Sequence, residues 1–191
     1  MAISRVRGGT PKPAFSIAKG PVVLIDEAHH NFHTATGRYK PFADLLARDG
    51  YVVRGSSAPF SKASLEGARV LVIANALAAR NEEDWSLPTP SAFTDEEVAA
   101  VRDWVRDGGS LLLIADHMPF PGAVAAMAKA FDVTFSNGFV FPVEDQNSPI
   151  IFSRDAGALA DHAVSRGRDD TERIAKVATT RISVYPNAGL P

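Results

Sequence analysis

The sequence predicts an α/β domain: a doubly wound, mostly parallel sheet in three layers. Three observations point there. Four short apolar runs rich in branched residues recur between Pro21 and Asp116. Helix-period patterns separate most of them. Turn residues bound the runs. Strands buried on both faces read as continuous apolar runs of this kind. Strands alternating with helices imply βαβ units with right-handed crossovers.

The elements follow in chain order. Val22-Val23-Leu24-Ile25 is the first strand, and polar Asp26-Glu27 ends it. Phe42, Leu45 and Leu46 then have i, i+3, i+4 spacing, and Gly50 stops that helix. Tyr51-Val52-Val53 is the second strand, Val70-Leu71-Val72-Ile73 the third, and Leu111-Leu112-Leu113-Ile114 the fourth. Between the last two, Thr94 and Glu97 form a capping box, in which each side chain can satisfy a free amide at the helix start. Phe93 and Val98 have staple spacing around it. Val98, Val101 and Val105 give one apolar face, and Gly108-Gly109 ends the helix. Pro121 opens a further helix with Val124, Met127, Ala128 and Phe131 on one side. The segment from Ala78 to Ser91 reads as a long loop without periodicity, and such loops are often functional. Phe139 to Val143 and Pro149 to Phe152 read as strands, and Arg173 to Val184 is mixed. With no closing element before Pro191, the C-terminal part reads as truncated.

Composition narrows the classes. A chain of 191 residues suits one domain and can bury about 70% of its unfolded surface. Residues 1–19 read as a flexible tail and 20–191 as a single domain. Hydrophobic residues make up 46% and charged residues 22%, which argues against a disordered or fibrous chain. A net charge of −2 implies no basic face, so neither nucleic acid nor an anionic membrane is an expected partner. Cys is absent, which excludes disulfides, thiolate metal sites and a Cys nucleophile. No apolar run reaches the roughly 18 residues that span a bilayer, so no membrane insertion is expected. The basic N-terminus has no apolar stretch behind it and does not read as a secretory signal. A cytoplasmic location is the expectation.

Open α/β sheets bind ligands outside the carboxyl ends of their strands. That rule selects Asp26-Glu27, Asn75 and Asp116-His117. Of the five histidines, His29, His30, His33 and His117 follow the first or fourth strand closely, and only His162 lies elsewhere. If those two strands are neighbours, imidazoles and carboxylates converge on one rim. Such a set suits a divalent ion such as zinc, manganese, iron or calcium, with Asp26, His29, His30, His33 and His117 as candidate ligands. A bound ion would lower the pKa of its water. The plain alternative stays open: these histidines bond loop carbonyls, with Asp26 and Asp116 capping turns. His162 reads more as a surface residue, Arg166 and Arg168 as a solvated turn, and Trp85 as either a ligand-stacking or a packing ring. GxGxxG, P-loop and GxSxG motifs are absent.

The stretch GGSLLLIADHMPFPGA resembles the class I glutamine amidotransferase segment in which a glycine-led strand delivers a Cys to a sharp turn. Here Asp116-His117 occupies the turn, so thiolate chemistry is excluded. Three stretches, Asp26–Leu46, Val70–Leu77 and Ser91–Ala123, are similar to an uncharacterised bacterial family with that amidotransferase-like, flavodoxin-like fold. Its distant relatives include gliding-motility and intraflagellar-transport domains. The resemblance covers roughly residues 20–140, with a weaker match over Leu159–Arg168. It implies a fold and no settled activity.

Two functions are therefore expected in competition. One is a hydrolase, metal-assisted, acting on a small ester, lactone or amide, with His117, Asp116 and Glu27 as catalytic residues. In its metal-free form, His117 is the general base to water, oriented by Asp116 or Asp26. The other is a non-catalytic module that binds a ligand or a protein. A homodimer is the default assembly.

Overall fold

The computed structural model describes residues 12–139 and 148–178. The chain divides into two compact units, one up to Gly138 and one from Phe139. The sequence reading expects a single domain over residues 20–191. Among the described residues, the strands after Phe139 pair only with each other.

The first unit holds a parallel sheet of four strands: β1 (Val22–Asp26), β2 (Val52–Ser56), β3 (Ala68–Ala74) and β4 (Ser110–Ile114). Their order is β2-β1-β3-β4. Each of these four predicted runs is a strand, with its ends moved by at most three residues. Because all four run parallel, their carboxyl ends share one edge. β1 and β4 are not neighbours, since β3 lies between them. The expected convergence of their end residues must therefore pass over β3.

Successive strand residues point to opposite faces, and the core follows that rule. Leu24, Leu71 and Ile73 join one buried cluster, while Val23, Ile25 and Val72 join another. Helix α1 (Lys40–Arg48) adds Phe42, Ala43 and Leu46 to the second cluster. Helix α2 (Asp95–Arg106) adds Val98, Val101 and Val105 to the first. The sheet is thus flanked by helices. Gly50 (φ +96) and Gly108 (φ +101) follow these two helices in a backbone region that side chains disfavour.

The capping box forms at the start of α2. Glu97 N–H donates to Thr94 Oγ1 at 3.2 Å, and Thr94 N–H donates to Glu97 Oε2 at 3.0 Å. Thr94→Ala is expected to lower stability by about 1 kcal/mol, measured by urea unfolding.

Two segments differ from expectation. The helix predicted after Pro121 is two short ones, α3 (Phe120–Ala123) and α4 (Ala125–Lys129). Val124 separates them, fully buried at φ −101 and ψ 6. Core packing of that side chain holds a non-helical backbone, and Gly122 weakens the first piece. The loop from Ala78 contains a 3-10 turn (Ala79–Glu82), with Asn81 fully buried.

In the second unit, β5 (Ile151–Ser153) pairs antiparallel with β6 (Lys176–Ala178), and α5 (Ala163–Arg166) lies between them in sequence. Most of the expected strand at Phe139–Val143, and the chain after 178, lie outside the described residues. Among the described residues, no helix is long and apolar enough to cross a membrane.

Candidate functional site

The end of β1 is a buried charge triad. Asp26 is fully buried, and its carboxylate accepts hydrogen bonds from Ala28 N–H at 3.2 Å and Asn31 Nδ2 at 2.8 Å. His29 Nδ1 lies 2.9 and 3.0 Å from its two oxygens, and His29 Nε2 lies 2.8 Å from Glu97 Oε1. Glu97 also accepts from Phe60 N–H at 3.0 Å. A carboxylate accepts and cannot donate, so both ring nitrogens of His29 carry protons. Burial pulls the His29 pKa down, but its hydrogen bond to Asp26, the Asp26 charge and the matching contacts with Glu97 outweigh it and raise the pKa above the ordinary value. Burial pushes the Glu97 pKa up, while the Thr94 amide, His29 and the Phe60 amide together hold it low. The ring sits 4.7 Å from Phe60 and 4.8 Å from Phe93. His29 is thus an imidazolium strut joining β1 to α2.

This geometry bears on the metal set expected from the sequence. Both nitrogens of His29 are occupied, so it has no lone pair for a metal. His30, at φ +47, turns its Nδ1 to Glu82 Oε2 at 2.9 Å. Among the described residues, no group of three or more His, Asp or Glu side chains is arranged to hold a metal ion. Asp26, His29, His30, His33 and His117 are therefore not brought together as ligands. Glu27 accepts from Ala35 N–H at 2.8 Å and lies against Gly55 of β2, where a Cβ would come within 2.6 Å of its carboxyl carbon. That places it at the β2 side of the edge, whereas Asp116 follows β4.

His33, Asp116 and His117 form the remaining group, and Asn75 ties their loops together. Asn75 is buried at φ +51, just past β3. Its Nδ2 donates to Asp116 Oδ1 at 3.1 Å, its carbonyl accepts from Phe32 N–H at 3.1 Å, and its own N–H donates to the Ile114 carbonyl at 2.9 Å. One residue thus links the two loops across β3, its side chain reaching Asp116 and its backbone carbonyl reaching Phe32. His117 N–H donates to Asp116 Oδ1 at 2.8 Å. His117 Nδ1 lies 2.7 Å from the Met118 carbonyl, and its Nε2 lies 3.9 Å from Asp116 Oδ1.

Aromatic rings wall this rim. Phe120 is buried, 5.5 Å from the His117 ring and 6.1 Å from both Phe32 and Trp85. Trp85 lies 5.6 Å from His117. The His33 ring lies 5.3 Å from Phe32 and 4.6 Å from Tyr39. Burial lowers the His33 pKa, Asp116 opposes this, and Arg38 adds to the lowering. Burial, and then the Asp116 charge, raise the Tyr39 pKa. The Arg38 guanidinium sits 4.0 Å above the Phe32 ring.

Sequence reasoning singled out Trp85 but missed Arg38, Tyr39, Phe32 and Phe120. The signal was their position in the loops that follow β1 and β4. Glu97 was recognised only as a cap.

In the second unit, His162 caps α5, with Nδ1 accepting from Val164 N–H at 3.2 Å. Arg166 pairs with Asp161 at 3.5 Å and Arg168 with Glu172 at 2.8 Å.

No protein-family model matches the chain, and no curated protein matches it. Among solved structures, the mmIFT52 N-terminal domain is similar, with a TM-score of 0.60 and 11% identity over 84% of this chain. The chain spans 65% of that domain's length. At such low identity the likeness concerns the fold: a mixed α/β unit built on a parallel sheet.

Proposed function

We propose that the protein is a hydrolase of small esters, lactones or amides, with His117 as general base and Asp116 beside it. The observation that carries this reading is the His117 ring. Its Nδ1 lies 2.7 Å from the Met118 carbonyl. A carbonyl can only accept, so Nδ1 is the nitrogen that donates there, and in the proposed reaction Nε2 is the nitrogen that works as the base. That nitrogen can take a proton from water as the water oxygen adds to the substrate carbonyl carbon. The C–O or C–N bond then breaks, and His117 returns the proton to the departing alcohol or amine. The expected ligand set is dispersed, so this reading assigns water activation to His117 rather than to a metal.

The amidotransferase-like family and a doubly wound, three-layer architecture belong to the same reading. Support comes from the three similar stretches and from the order β2-β1-β3-β4, which begins the flavodoxin-like order. A second reading, a non-catalytic binding module, is favoured by the lack of any Cys at the turn after β4.

A panel of one aryl ester, one lactone and one anilide separates the two. The hydrolase reading expects repeated turnover of at least one class by the full chain. No turnover across the panel would favour the binding module.

A further inference from the structure

We infer that Arg38 binds a free carboxylate on the ligand, so that the substrates are esters, lactones or amides that also carry a carboxylate away from the reacting carbonyl. The substrate part of this inference rests on the hydrolase reading. The carboxylate site rests on the surroundings of Arg38.

Arg38 lies in the loop that joins the carboxyl end of β1 to α1. Thr34 fixes its turn, because the Thr34 carbonyl accepts from Gly37 N–H at 3.2 Å and from Tyr39 N–H at 3.1 Å. The guanidinium stands over the Phe32 ring, 4.0 Å from its centroid. Stacking uses the face of the planar fork and leaves the N–H groups in its plane to bond elsewhere. None of them makes a hydrogen bond or an ion pair among the described residues. Arg38 is exposed, and Phe32 is 43% exposed. The first turn of α1 adds no acid, and Lys40 is committed to Asp44 at 2.7 Å. Arg48, in the last turn of α1, complements the helix dipole. Arg38 precedes the first turn and has no such role.

The open edge of a guanidinium offers two parallel N–H groups that match the two oxygens of a carboxylate. A single uncommitted charge suits that monoanion better than a phosphate group, which carries roughly −1.5 to −2 at neutral pH. Arg38 and His117 serve different parts of the ligand. Phe32 lies 6.1 Å from Phe120, and Phe120 lies 5.5 Å from His117. A strip of rings thus leads from the carboxylate site toward the reacting group, and the apolar body of the ligand lies along it. The Arg38 and Asp116 charges both reach the His33 ring, which places Arg38 on the same rim as Asp116. Binding a remote carboxylate lowers KM without any contact to the reacting atoms.

Benzoate, benzamide and inorganic phosphate are the probes, each titrated at neutral pH into the ¹⁵N-labelled full chain while the Arg38 Nε–H signal is followed. Benzamide has the shape of benzoate without its charge. The expected result is saturable benzoate binding, about tenfold tighter than benzamide, the low end for a hydrogen bond to a charged group. Arg38→Gln keeps N–H donors and loses the charge, and it is expected to bring the two probes to equal affinity. No saturable benzoate binding, equal affinities in the wild type, or an undiminished preference in Arg38→Gln would overturn the site. Phosphate binding tighter than benzoate would overturn its assignment to a carboxylate. Kinetics test the substrate part on the class that the wild type turns over. The ratio of kcat/KM for a carboxylated substrate to that for its carboxamide counterpart is expected to fall about tenfold in Arg38→Gln, and an unchanged ratio would remove Arg38 from substrate selection. Absence of turnover by the wild type would sink the hydrolase reading instead, and the titrations alone would then decide the carboxylate site.

Discussion

His29→Gln is expected to lower stability by about 3–5 kcal/mol, the usual cost of removing one partner from a buried ion pair. Two carboxylates, Asp26 and Glu97, face this ring, and both are nearly or wholly buried. Gln is uncharged and cannot satisfy both oxygens as the imidazolium does. For a chain of this size the loss is worth roughly 10 °C in Tm. Calorimetry measures it directly, and an unchanged Tm would mean that the ring carries no charge.

The pH dependence has a definite sign. The His29 pKa is raised above 6.5, so its stabilisation is complete below pH 6.5 and is lost as pH rises through the raised folded value. The Glu97 pKa is lowered below 4.5, so its stabilisation is complete above pH 4.5 and is lost as pH falls through the depressed folded value. The triad therefore contributes most between pH 4.5 and 6.5. His33 acts in the opposite sense to His29, because its lowered pKa costs stability as pH falls below 6.5. Subtracting the His29→Gln profile from the wild-type profile cancels the His33 contribution. The difference is expected to be flat across that window and to shrink on both sides.

His117→Ala is expected to remove turnover by about 10²–10⁴-fold, the range for loss of a general base, while leaving Tm near the wild-type value. The ring is partly exposed, at 24% of its side-chain surface. Its backbone N–H bond to Asp116 does not depend on the side chain. A proportionate fall in Tm would recast His117 as a packing residue between Trp85 and Phe120. Progress curves on any substrate turned over, read beside thermal melts of the same samples, distinguish the two outcomes.

The strands were legible because each is a short branched run closed by polar residues, as at Ile25-Asp26 and Ile114-Ala115-Asp116. The start of α2 was legible because a capping box is a local device, formed between Thr94 and Glu97. Strand order is not local, and so the sequence could not show that β3 separates β1 from β4. Nor could it show that Glu97, 68 positions from His29, is its second partner. A clustered set of histidines looked like a ligand set because one-dimensional spacing does not tell which nitrogen faces which carboxylate. His30 illustrates this, since a positive φ at that residue accompanies its turn toward Glu82. Asn75 was marked by its place after a strand, but its bridging role depends on Asp116, 41 positions away.

His29, after β1, holds the fold, and in the proposed hydrolase His117, after β4, carries the chemistry. The most direct test is kcat of His29→Gln per folded molecule, measured well below its lowered Tm. The account expects a value close to wild type, despite the lost stability. A folded His29→Gln protein as inactive as His117→Ala would contradict it and return His29 to the site of reaction.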